Sequence, residues 1–142
     1  MTPKSSLGIQ GQLALIVHPD MAALSKFQAA LAQKDFRTIV ARDLPTALLA
    51  ITQHHFHVAI VSSQLTEGGD GWPLAGVLHL VFPHAFVAVV SPGEPDVLTL
   101  QAAINYGARE VFEASNPPEE IVKSITVQMT SSPGPATKSK LQ

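Results

Sequence analysis

Residues 13–34 read LALIVHPDMAALSKFQAALAQK. Leu13 to Val17 is an unbroken apolar run, as expected of a strand covered on both faces. His18-Pro19-Asp20 stops it. Asp20 then suits an N-cap, and Leu24, Phe27 and Leu31 follow at helical spacing, which predicts a helix from Met21 to Lys34. An apolar strand followed by an amphipathic helix is one unit of an α/β sheet, and its repetition decides the fold.

The unit recurs four times. Phe36 to Ala41 reads as a more polar strand nearer a sheet edge, and Asp43 caps a helix over Pro45 to Gln53, with proline in the first turn. Val58 to Val61 is a third strand ending at Ser62-Ser63, followed by the glycine-rich Glu67-Gly68-Gly69-Asp70-Gly71 and a helix from Trp72 to Val81. Phe86 to Val90 is a fourth strand, ending at Ser91-Pro92-Gly93. Asp96 caps a helix to Asn105 that Gly107 closes. Glu110-Val111-Phe112 is a short fifth strand, and Asn116 opens a last helix with Ile121, Val122 and Ile125 inward. The fold class is therefore α/β: a doubly wound (βα)5 domain with a five-stranded parallel sheet over 12–130. Residues 1–11 and the Pro/Ser/Lys-rich 131–142 read as a disordered leader and tail.

Composition narrows the function. Charged residues are 14% of the 142-residue chain, against roughly 25% in an average domain. No Lys or Arg lies between Arg42 and Arg109, and the net charge is -2, so a basic stripe for nucleic acid is not expected. There is no cysteine, which removes disulfides, thiolate metal sites and a cysteine nucleophile. No apolar run approaches a membrane span and residues 1–17 lack a signal-peptide pattern, so a cytoplasmic protein is expected. A surface so poor in charge points to an interface with a partner or a second copy.

In doubly wound sheets, ligand sites lie beyond the carboxyl ends of the strands. Those ends are His18-Pro19-Asp20, Arg42-Asp43, Ser62-Ser63, Ser91 and Glu113-Ala114-Ser115.

LALIVHPD at the first strand, VAIVSSQLTEGGDG at the third, VAVVSPGE at the fourth and INYGAREVFEAS at the fifth together resemble the receiver domain of two-component response regulators (CheY-like). The resemblance covers roughly Gln12 to Met129, with Asp70-Gly71 and Gly107-Ala108 where receivers carry Asp-Gly and Gly-Ala pairs. It implies a phosphorelay signalling module with a magnesium-dependent aspartyl-phosphate pocket. At the implied pocket positions, however, the acidic pair is replaced by His18 and Pro19, with Asp20 one position late. Ser63 stands for the phosphoacceptor, Ser91 keeps the hydroxyl, Ala114 replaces the lysine, and Val111, beside Phe112, replaces the switch aromatic. Magnesium favours carboxylate oxygens and phosphoryl transfer needs a nucleophile with cations around it, so a degenerate pseudo-receiver without a cofactor is expected. The family's usual contact face would comprise Leu100, Gln101, Ile104, Tyr106 and Arg109.

Three functions follow in order. The first is a non-catalytic module that docks on another signalling protein or on itself, with neither nucleic acid nor membrane as partner. The second is a working phospho-receiver with a displaced acidic site, using Asp20 or Asp70; magnesium-dependent stabilisation by a phosphoryl analogue would distinguish it. The third is a small flavodoxin-like enzyme, but no nucleophile, base and electrophile assemble in the sequence. Ser63 lacks the Gly-x-Ser-x-Gly elbow of a hydrolase, and Gly68-Gly69-x-Gly71 is too short for a dinucleotide loop. His54, His55 and His57 cluster without a nearby acid and read as a helix terminus ahead of a metal site. Trp72 and Tyr106 are either exposed anchors or half-buried beside the sheet.

Overall fold

The structure, a computed structural model, describes residues 11–65 and 69–131, so the expectations for 1–10, 66–68 and 132–142 lie outside the described residues. Ten elements alternate: β1 (Leu13–Val17), α1 (Met21–Ala32), β2 (Arg37–Ala41), α2 (Leu44–Gln53), β3 (Val58–Ser62), α3 (Trp72–Val81), β4 (Phe86–Ser91), α4 (Val97–Tyr106), β5 (Glu110–Glu113) and α5 (Pro118–Ser131). The strands form one parallel sheet in the order β2-β1-β3-β4-β5, as the alternating pattern predicts.

Period-two alternation sends each strand's residues to opposite cores. Leu13, Leu15 and Val17 of β1 and Ala59 and Val61 of β3 pack with Ala50 and Ile51 of α2 and Leu74 and Leu78 of α3. Ala14, Ile16, Val58 and Ile60 pack with Phe27 and Leu31 of α1 and Ile121 and Ile125 of α5. Burial on both sides is why β1 is apolar throughout and β3 and β4 are apolar up to their terminal serines, whereas the edge strand β2 leaves Arg37 and Val40 exposed.

The three aspartates read as caps do cap. Asp20, Asp43 and Asp96 accept the backbone N–H of Ala23, Thr46 and Thr99 at 2.9–3.0 Å. Gly107 closes α4 in the left-handed conformation at φ +76°.

Element ends differ from the sequence reading for local reasons. α1 stops at Ala32, not Lys34, because the chain turns through Asp35 at φ +70° and the N–H of Phe36 bonds back to the Leu31 carbonyl. Phe36 is buried in the α1–α5 core, and β2 begins one residue later. α5 begins at Pro118, not Asn116, since a residue preceding proline is pushed out of the helical region and Pro117 precedes Pro118. It runs through Ser131, one residue into the stretch expected as tail. No helix among the described residues is long and apolar enough to cross a membrane.

Candidate functional site

The carboxyl ends of β1, β3, β4 and β5 converge around His18. On one side a cleft of about 270 Å³ is lined by His18, Pro19, Ser62, Gln64, Leu65, Val90, Pro92 and Ala114. On the other, a cleft of about 170 Å³ lies between the first turns of α1 and α5, where His18, Asp20, Lys26, Asn116 and Ala114 meet Phe27 and Ile121.

Several polar groups here are already engaged. His18 Nδ1 accepts the Asp20 N–H at 3.1 Å, so the neutral ring carries its hydrogen on Nε2. Burial lowers the His18 pKa, opposed by the nearby Asp20 carboxylate. That carboxylate accepts the Ala23 N–H. The Ser62 hydroxyl donates to the Gln64 carbonyl at 2.8 Å, and the Ser91 hydroxyl donates to the Gly93 carbonyl at 3.0 Å. Asp70 Oδ1 takes the Trp72 N–H at 3.0 Å and so secures the start of α3.

His18, Pro19 and Ala114 thus share one cleft, and Asp20 faces the second. Ser62 lines the first cleft, although the sequence reading singled out Ser63; Ser63 is held through its backbone, its N–H to Val90 and its carbonyl to Gly71, both at 2.9 Å. The tandem serines were the signal, but which hydroxyl faces the cleft depends on where β3 ends.

All five residues of the expected contact face are exposed. Leu100, Gln101 and Ile104 are exposed on α4. Tyr106, still 37% exposed, lays its ring along Trp72, with centroids 6.3 Å apart and planes 26° apart, over Gly76 of α3. A side chain at Gly76 would meet the Tyr106 ring at 2.9 Å, so the glycine provides the seat for that stack. The Arg109 guanidinium lies 5.0 Å over the ring of Phe86, a member of the α1–α5 core on the other side of the sheet.

Three of the six histidines gather at the opposite end of the sheet. His55, His57 and His84 line a small cavity of about 80 Å³ with Phe56 and Phe82, and His55 and His57 stand edge to face at 5.2 Å. His57 Nδ1 accepts the Leu13 N–H at 3.2 Å. Metal-bound histidines ordinarily donate their second ring nitrogen, so this arrangement is the reverse of a ligand's. Among the described residues no group of three or more His, Asp or Glu is placed to hold a metal.

Burial, then repulsion from His55, lowers the His57 pKa below its usual 6.5. His18 and His57 therefore bind a proton less readily folded than unfolded. As pH falls below about 6.5 the unfolded chain protonates first, so stability present above that pH is lost toward the lower folded values. The melting temperature is expected to fall between about pH 7.5 and about pH 5.5. His57→Asn, whose amide oxygen can take the Leu13 N–H without titrating, should shrink that fall; an unchanged profile would remove His57 from the account.

No protein-family model and no curated protein sequence matches the chain. Solved structures do. A CheY-like response regulator receiver domain from Methanospirillum hungatei JF-1 superposes with a TM-score of 0.76 at 20% identity, covering 85% of this chain and 95% of its own. The signal receiver domain of an HD domain-containing protein from Pseudomonas fluorescens Pf-5 gives 0.73 at 21% identity, covering 85% and 95%. The BeF3-activated receiver domain of DrrB, from Thermotoga maritima, gives 0.72 at 17% identity, covering 83% and 97%. The fold is that of a response-regulator receiver domain. At these identities the likeness is one of architecture.

Proposed function

We propose that this chain is a non-catalytic, receiver-like signalling module of the cytoplasm that acts by docking on another protein, without aspartyl phosphorylation. The observation that carries the reading is the make-up of the strand-end cleft: His18, Pro19, Ser62, Gln64 and Ala114 with apolar Leu65, Val90 and Pro92, and no carboxylate among them. Magnesium takes hard oxygen ligands in octahedral array, usually with one or two carboxylates, and that donor set does not suit it. Asp20 and Asp70, the two aspartates that a displaced site would use, each hold a helix start by accepting a backbone N–H. Ala114 and Pro92 offer no cation in this cleft to offset a moving phosphoryl group, and Lys26 lines the neighbouring one.

Docking is supported by exposed Leu100 and Ile104 on α4 and by the sparse charge of the chain. The absence of Lys and Arg from 43–108 speaks against nucleic acid as the partner.

Beryllofluoride with Mg²⁺ mimics an aspartyl phosphate, and it is the activating group in the DrrB structure. Added to this chain, it is expected to leave the melting temperature unchanged, and Ser63→Asp should not create a response. A magnesium-dependent rise in the wild-type melting temperature would overturn the reading, since a ligand bound to the folded state must stabilise it.

A further inference from the structure

The helices on the two faces of the sheet differ in kind. α1 carries Lys26, and α5 carries Glu119, Glu120 and Lys123. On the other face, α2 (LPTALLAITQ), α3 (WPLAGVLHLV) and α4 (VLTLQAAINY) contain no Asp, Glu, Lys or Arg in thirty residues. Of the thirteen exposed large apolar residues among those described, ten lie on these three helices. Leu48 and Leu49 project from α2, Leu80 and Val81 from α3, Leu98 and Ile104 from α4, with Leu80 and Ile104 each 79% exposed.

We propose that the α2–α3–α4 layer is a self-association surface through which two copies of this chain pair about a two-fold axis. The proposal goes beyond the docking reading, because it names the occupant and extends the face across three helices.

Charge selects the occupant. A face without ionic groups offers nothing to recognise a charged partner, and it meets its own copy with no like-charge repulsion. It has no Lys or Arg to draw it to anionic lipid or nucleic acid. Size agrees. Ten-residue helices are about 15 Å long and neighbours lie about 10 Å apart, so three abreast present a patch roughly 15 Å by 30 Å. Side-chain relief brings that patch toward the ~800 Å² per partner of an ordinary specific interface. An isologous pairing also closes on itself, which hides the whole layer without forming a filament.

The test is sedimentation equilibrium of the full chain over about three decades of concentration. A monomer–dimer equilibrium is expected. Leu49→Glu with Ile104→Glu should weaken it by about tenfold or more, as should Leu98→Glu alone, at a site too exposed to affect folding. Met21→Glu, on the α1 layer, should leave it unchanged. Mixing the Leu49→Glu/Ile104→Glu protein with Leu49→Lys/Ile104→Lys should restore a mixed dimer, which lost stability alone would not do. A monomer throughout, a dimer indifferent to Leu98→Glu, or a monomer that instead floats with phosphatidylcholine vesicles would each overturn the proposal. None of these results bears on the beryllofluoride test, so the two readings fail separately.

Discussion

Phe56→Ala is expected to cost about 3–5 kcal/mol of folding stability. Phe56 is wholly buried where the chain passes from α2 into β3. Its ring meets Phe82 edge to face at 5.9 Å, 85° between planes, and lies 6.0 Å from His54. Truncation removes the transfer energy of the ring, leaves a cavity that β1, β3 and α3 are too regular to collapse into, and breaks the aromatic pair. Urea denaturation should show a lower midpoint with an unchanged slope, and the melting temperature should drop by on the order of 10–20 °C. Phe56→Leu, which retains most of the volume, should cost about 1–2 kcal/mol. A loss under about 1 kcal/mol for the alanine variant would mean that this end of the core rearranges freely.

The second large effect comes from adding one methyl group. Gly71 precedes α3 at φ −81°, an ordinary conformation, so the constraint there is steric. A Cβ would fall directly on the carbonyl oxygen of Ser62. That carbonyl ends β3 beside Val90 of β4, and Gly71 itself donates to the Ser63 carbonyl at 2.9 Å, so neither backbone can withdraw without breaking the ladder or the bond that brings the chain back to the sheet. Gly71→Ala should cost about 3 kcal/mol or more. Gly93→Ala, with nothing within 4 Å of the added carbon, is the control and should be nearly neutral. Equal denaturation midpoints for the two variants would refute the steric account.

Local chemistry made much of the fold legible. Continuous apolar runs marked the buried strands, and Asp20, Asp43 and Asp96 marked helix starts because a side-chain acceptor is needed there whatever the tertiary context. The strand-end location of the clefts followed from the alternation of elements alone. What the sequence concealed depends on the face of the sheet. Arg109 was grouped with the α4 residues through the family's usual contact face, and its guanidinium, though exposed, also lies over Phe86 of the other core. Tyr106 was a candidate anchor, and what the sequence did not show is that Gly76, thirty residues away, leaves room for its ring to stack on Trp72 while it stays exposed. The lack of basic residues over 43–108 was visible at once. That it forms one uncharged helical layer emerges only when α2, α3 and α4 are placed on the same side of the sheet, with α1 and α5 on the other.

The thin attachment of α4 has a dynamic consequence. Ala103 is the only residue that the helix buries fully, and the helix is further held by the Asp96 cap, the Gly107 turn, its packing on α3 and the stack of Tyr106 on Trp72. With so few buried contacts, α4 belongs to the low-free-energy end of local opening, and its amides should exchange with solvent well before those of β1 and β3. A molecule that covers the outer side of α4 binds the closed helix and not the opened one. Each increment of binding free energy is then an increment of protection against opening. Order in α4 and occupancy of its surface therefore form a single equilibrium, and exchange rates in this one helix report on the bound fraction.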